Sequence, residues 1–160
     1  MDKIKQMPHK QYIFGALLMI ANKMDTLLER ELKEYGVTSK QWLLSIVIDN
    51  LFDKPPTLKE VAKEMGSSHQ NVKQVALKLQ EKNLLQLVKD KKDGRVTRLK
   101  MTNESYEFWE KTGPKGALFT ESLFKNIKEE DMKSAALVFQ LMMDNLEVME
   151  NGSDEEEDEE

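Results

Sequence analysis

Between Thr57 and Gln80 the sequence TLKEVAKEMGSSHQNVKQVALKLQ contains two short helical patterns joined by a turn of about four residues, and this constrains the fold more than any other stretch. Thr57-Leu58-Lys59-Glu60 has the form of a capping box, in which a threonine hydroxyl and a glutamate three residues on satisfy each other's backbone N–H groups, so a helix is expected to open there. Gly66 ends it, because glycine turns the chain without steric strain. Ser67-Ser68-His69-Gln70 offers a further box, with Ser67 as cap, and opens a second helix with Val72, Val75 and Leu79 on one face. Ala62 permits close approach of the two helices, and Val61, Met65, Val72 and Val75 supply a small shared core. A helix-turn-helix needs these features, although a plain helical hairpin with a polar outer face satisfies the same spacing.

The segment after this second helix narrows the choice. Asn83 is a residue that tolerates the left-handed conformation and suits a helix C-cap. Leu84 to Asp90 (LLQLVKD) and Arg95 to Met101 (RVTRLKM) read as two strands, with Asp93-Gly94 as the turn signal between them. Lys89 to Lys100 carries six cations against two acids. A charged hairpin can be merely a solvated surface, but a basic hairpin directly after a helix-turn-helix is the order of a winged helix, whose tip lies along phosphates or in the minor groove. On this reading Ser68, His69, Gln70, Lys73 and Gln74 project from the N-terminal half of a recognition helix into a major groove, and Lys91, Lys92 and Arg95 form the wing contact.

Flanking segments are helical. Gln11 to Tyr35 carries apolar residues at helical spacing and stops at Gly36; its first half, YIFGALLMIA, is apolar around most of its circumference, which implies burial on two sides. Thr38-Ser39-Lys40-Gln41 is another capping box, opening a helix that ends near Asp53, before Pro55-Pro56. After Thr102 a helix interrupted or kinked around Gly113-Pro114 is expected, and then a last one over EEDMKSAALVFQLMMDNLEVME. The formal charge of −5 is set by seven consecutive acids, Asp154 to Glu160; without them the rest of the chain carries +2. Such a block repels itself and has nothing apolar to bury, so residues 151–160 are expected to be a disordered acidic tail.

The chain resembles the MarR family of bacterial and archaeal transcriptional regulators. The resemblance covers about Gln11 to Glu150. Asp90-Lys91-Lys92-Asp93-Gly94-Arg95, running on to Met101-Thr102, is similar to the family's D-x-R-x-x-R wing followed by an apolar residue and threonine, and Val37-Thr38-Ser39-Lys40-Gln41-Trp42 is similar to the start of its second helix. Lys92 stands where the family usually has arginine, Asn83 where it has glycine, and Ser105 where a glycine usually follows the wing. The resemblance implies a mainly α fold with a small two- to three-stranded β wing. It implies one domain over 1–150, with a winged helix-turn-helix lobe at 38–102 and dimerisation helices at 11–35 and 103–150. It also implies a homodimer on a pseudo-palindromic operator in double-stranded DNA, and a small anionic or aromatic effector.

Other functions find less in the residues. The absence of cysteine removes disulfides, thiolate nucleophiles and thiolate metal sites, and His9 and His69 are too few and too far apart in sequence to suggest a metal centre, so no metal or cofactor is expected. No nucleophile stands beside a base, which argues against an enzyme. The longest apolar run, Phe14 to Ala21, is far shorter than the roughly 20 residues of a membrane span, and the first residues have no signal-peptide pattern; a cytoplasmic location without membrane contact is expected. The ten methionines suit adaptable core filling or a forgiving pocket. The remaining alternative is a winged helix used to bind another protein instead of duplex DNA.

Overall fold

The computed structural model describes the backbone of residues 6–157 and the side chains of 6–151. In order, the elements are α1 (His9–Leu32), α2 (Ser39–Leu51), α3 (Leu58–Glu64), α4 (His69–Glu81), β1 (Leu85–Lys89), β2 (Thr97–Met101), α5 (Asn103–Leu123) and α6 (Glu129–Glu157). The chain divides into two compact units after Phe119. The fold is the mainly α arrangement with a β wing, and its sheet has two strands; Thr57 adds an isolated bridge to Arg98.

In the first unit the local signals act as their chemistry dictates. Thr38 and Thr57 each close a full capping box, with Gln41 and Glu60 returning the bond to the threonine N–H. A tight helical turn, Lys33–Tyr35, extends α1 and ends at Gly36, whose φ of 67° is the left-handed value glycine adopts freely. The carboxylate of Glu29 in α1 accepts the Ser39 N–H at 2.9 Å, placing a negative charge at the start of α2. The core joins Leu28 and Leu32 of α1, Leu44 and Ile48 of α2, Val61 of α3, Val72 and Leu79 of α4, and Leu85 and Leu99 of the hairpin. Full burial of a valine such as Val61 or Val72 contributes about 1.5–3 kcal/mol.

Of the interruption or kink expected at Gly113-Pro114, the interruption does not occur: helix α5 runs on through both residues. The proline forgoes one intrahelical bond, while Thr112 is buried and the preceding Phe108 and Trp109 pack against the core, which anchors the helix ahead of the proline. Phe108 meets Trp109 edge-on at 4.7 Å and Tyr35 at 6.4 Å. In contrast, the first half of α1 leaves Phe14, Leu18, Met19 and Ile20 exposed, Phe14 by 66%.

In the second unit α6 exposes Leu137, Phe139, Leu141, Met143, Leu146 and Val148. The expected exit from helix at Asn151 is not seen: α6 continues through Asn151-Gly152-Ser153 to Glu157, and residues 158–160 of the acidic block lie outside the described residues. Extending an existing helix adds a hydrogen bond per residue without a new nucleus, so the helix runs on although a glycine inside it costs about 1 kcal/mol. Among the described residues, no helix is long and apolar enough to cross a membrane.

Candidate nucleic-acid interface

The turn between α3 and α4 is a Schellman motif. Gly66, at φ 55°, donates its N–H to the Lys63 carbonyl at 3.0 Å, and Ser67 donates to the Ala62 carbonyl at 2.9 Å. Because this commits the Ser67 backbone to the end of α3, the cap of α4 falls one residue later than expected. Ser68 is the N-cap, with its hydroxyl accepting the Asn71 N–H at 3.2 Å, and no capping box with Gln70 forms. Gln70 is thereby left with its side chain in solvent.

Val72, Ala76 and Leu79 turn into the core and leave Ser68, His69, Gln70, Lys73 and Gln74 exposed on the N-terminal half of α4. All five residues expected from the sequence lie on one short, solvent-facing surface, although the Ser68 hydroxyl also serves as the cap. Asn71, not among those expected, is exposed with them. A signal for it was available, since it lies beside Gln70 and off the Val72–Leu79 line. The far end of α4 is fixed by a second Schellman motif, with Asn83 at φ 59° in the left-handed role and Leu84 donating to Leu79 at 3.0 Å.

The hairpin pairs Leu85 with Met101 through to Lys89 with Thr97, leaving a seven-residue loop, Asp90 to Val96. A turn closes at Asp93-Gly94 as expected, the Val96 N–H donating to the Asp93 carbonyl at 2.9 Å, but it sits inside the longer loop and Gly94 is not left-handed. The loop is organised from its base by Asp90, whose Oδ1 accepts the N–H groups of Lys92 at 2.8 Å and Asp93 at 3.0 Å. Its other carboxylate oxygen is paired with Arg98 Nε, and Arg98 Nη1 donates to the Pro55 carbonyl at 2.9 Å. Leu99 N–H donates to Pro56 O at 2.8 Å, and Leu87 N–H to Gln80 Oε1 at 2.9 Å. The wing is therefore tied both to the segment before α3 and to α4 itself.

Arg98, counted in the sequence as one more cation of a basic hairpin, is an internal clamp. The guanidinium of Arg98, helped by the Asp93 and Lys92 N–H groups, holds the Asp90 carboxyl down to about 2. Lys91, Lys92 and Arg95 are exposed on the loop. Arg95 folds onto Asp93, with Nε at 3.1 Å and Nη2 at 3.2 Å from the two carboxylate oxygens, and this contact holds the Asp93 carboxyl below its usual range. With 92% of the Arg95 side chain exposed, the pair is of the weak surface kind that a phosphate can displace.

His69 is exposed on α4 and His9 opens α1; among the described residues no group of three histidine or carboxylate side chains is placed to hold a metal ion. No protein-family model and no curated protein sequence matches the chain. Solved structures do share its fold. AbsC, a MarR family transcriptional regulator from Streptomyces coelicolor, superposes with a TM-score of 0.75 at 15% identity, covering 88% of this chain and 97% of its own. A MarR/EmrR family transcriptional regulator from Acinetobacter sp. ADP1 gives 0.75 at 14% identity, with 88% and 99% covered. BpsR of Bordetella bronchiseptica, whose DNA binding is regulated by 6-hydroxynicotinic acid, gives 0.69 at 19% identity, with 81% and 92% covered. The chain has the winged-helix fold of MarR-family transcriptional regulators.

Proposed function

We propose that this protein is a homodimeric transcriptional regulator that binds double-stranded DNA through α4 and the wing. The observation that carries the reading is the pairing, on one unit, of an exposed polar α4 face with a basic loop clamped at its base. The α4 residues Ser68, His69, Gln70, Lys73 and Gln74 meet base edges in the major groove, while Lys91, Lys92 and Arg95 meet phosphates or the adjacent minor groove.

Dimerisation assigns a use to apolar surface that an isolated chain leaves in water. Phe14, Leu18 and Ile20 on α1, and Leu137, Phe139 and Leu146 on α6, are the residues a second copy would cover, within the segments 11–35 and 103–150. A twofold dimer calls for two half-sites of a pseudo-palindromic operator. A small-molecule effector and a cytoplasmic location belong to the same reading, the first supported by the ligand-regulated DNA binding of BpsR.

Gel-shift assays of the full-length protein against fragments of its own genome, with excess competitor DNA, test the proposal. The expected result is a small set of retarded fragments bound by two chains per site. Retention of a protein partner with no fragment retarded would replace this reading with that of a protein-binding winged helix.

A further inference from the structure

We infer that the half-site read by α4 is defined by adenine, with Gln70 and Gln74 as the base-selecting residues and Asn71 beside them. This rests on the DNA-binding reading above and specifies what that surface recognises. Gln70 and Gln74, one helical turn apart, stand opposite the buried line of Val72, Ala76 and Leu79, so they occupy the middle of the outward face. Asn71 lies on its shoulder, and it is the backbone N–H of Asn71, not its side chain, that the Ser68 hydroxyl receives. The other amide of the helix, Gln80, is committed to the wing through the Leu87 N–H. Among the described residues the side-chain amides of Gln70, Asn71 and Gln74 make no hydrogen bond, so donor and acceptor are both available.

A carboxamide presents an NH2 donor beside a carbonyl acceptor. Adenine presents the matching pair in the major groove, the N7 acceptor and the N6 amino donor, whereas guanine presents two acceptors, N7 and O6, which suit a guanidinium or ammonium. Helix α4 has no arginine, and Lys73 lies to one side of the Gln70–Gln74 line. Lysine serves a phosphate or a single guanine as a point charge. The discriminating contacts of the Gln70–Gln74 line are therefore to A·T pairs.

The test is selection of bound sequences from a library of random duplexes by the full-length protein, repeated with Gln70→Ala and Gln74→Ala. Binding of wild-type protein to the selected site carrying 7-deaza-adenine, which lacks the N7 acceptor, is measured alongside. The expected outcome is an adenine requirement at two positions per half-site, each relaxed by one variant. The ratio of specific to random affinity should fall roughly ten- to a hundredfold for each variant, and the deaza duplex should lose a similar factor. Selected sites with G·C at those positions, or an adenine preference untouched by both variants and by the deaza base, overturn the inference while leaving DNA binding intact. Failure of the wild-type protein to enrich any duplex overturns the DNA-binding reading itself.

Discussion

Arg98 on β2 grips Asp90 at the mouth of the wing loop and, with Nη1, the Pro55 carbonyl at 2.9 Å. One guanidinium thus fixes the base of the loop that carries Lys91, Lys92 and Arg95, and joins it to the chain entering α3. A fork that spans a carboxylate and a carbonyl cannot be copied by an ammonium. Arg98→Lys is therefore expected to preserve net charge yet lose hydrogen-exchange protection at the Lys92 and Asp93 amides. Duplex affinity should drop by about three- to tenfold as the wing loses its preorganisation. Unchanged exchange at those amides would show that the clamp does not order the loop.

The same clamp sets a pH dependence. The folded Asp90 carboxyl titrates at about 2, below its ordinary value of 3.8, so its contribution is present above the ordinary value and is lost as pH falls through about 2. Wing geometry should be constant from neutral pH down to about 4 and loosen only below that. Carbon-detected NMR titration of the Asp90 side chain reads this directly. A midpoint at or above 3.8 would mean that the pair with Arg98 is not formed in solution.

Gly66 is required for its backbone conformation and not for space, since a Cβ there would meet nothing within 4 Å while φ is +55°. Gly66→Ala is expected to cost about 1 kcal/mol in chemical denaturation, and Gly66→Asn clearly less. Asn83 already adopts φ 59° in this chain. Equal losses for the two variants would contradict the left-handed turn.

Ser105 is fully buried, and its Oγ has no hydrogen-bond partner among the described residues, while its N–H donates to Thr102 Oγ1 at 3.0 Å. Removing an unsatisfied hydroxyl relieves a desolvation cost and leaves the backbone bond in place. Ser105→Ala should therefore raise stability by up to about 1 kcal/mol, a gain of a few degrees in Tm. A fall in Tm would reveal a partner for the hydroxyl.

Features written within three or four residues were legible in the sequence. Thr38 with Gln41, Thr57 with Glu60, Gly36, Gly66 and Asn83 each act through a side chain or a φ value that neighbours alone determine. Where two local signals competed, a longer connection decided. Ser67 and Ser68 are equivalent as caps until the Ala62 carbonyl claims the Ser67 N–H. Asp93-Gly94 does turn the chain, with the Val96 N–H on the Asp93 carbonyl, yet Asp90 and Arg98, eight residues apart, fix the base of the longer loop around it. At the candidate interface the exposed face of α4 followed from helical period, but the division of the basic hairpin into clamp and exposed cations did not. It depends on strand register, which the charges do not encode.

The most direct measurement is the affinity of the full-length protein for a single duplex as a function of salt, compared with Lys92→Ala and Arg95→Ala. Log affinity is expected to fall linearly with log salt between about 50 and 200 mM, and the slope to flatten by about 1 for each phosphate contact a variant removes. An affinity indifferent to salt, or wild-type and variant slopes that coincide, would contradict a wing that binds the DNA backbone.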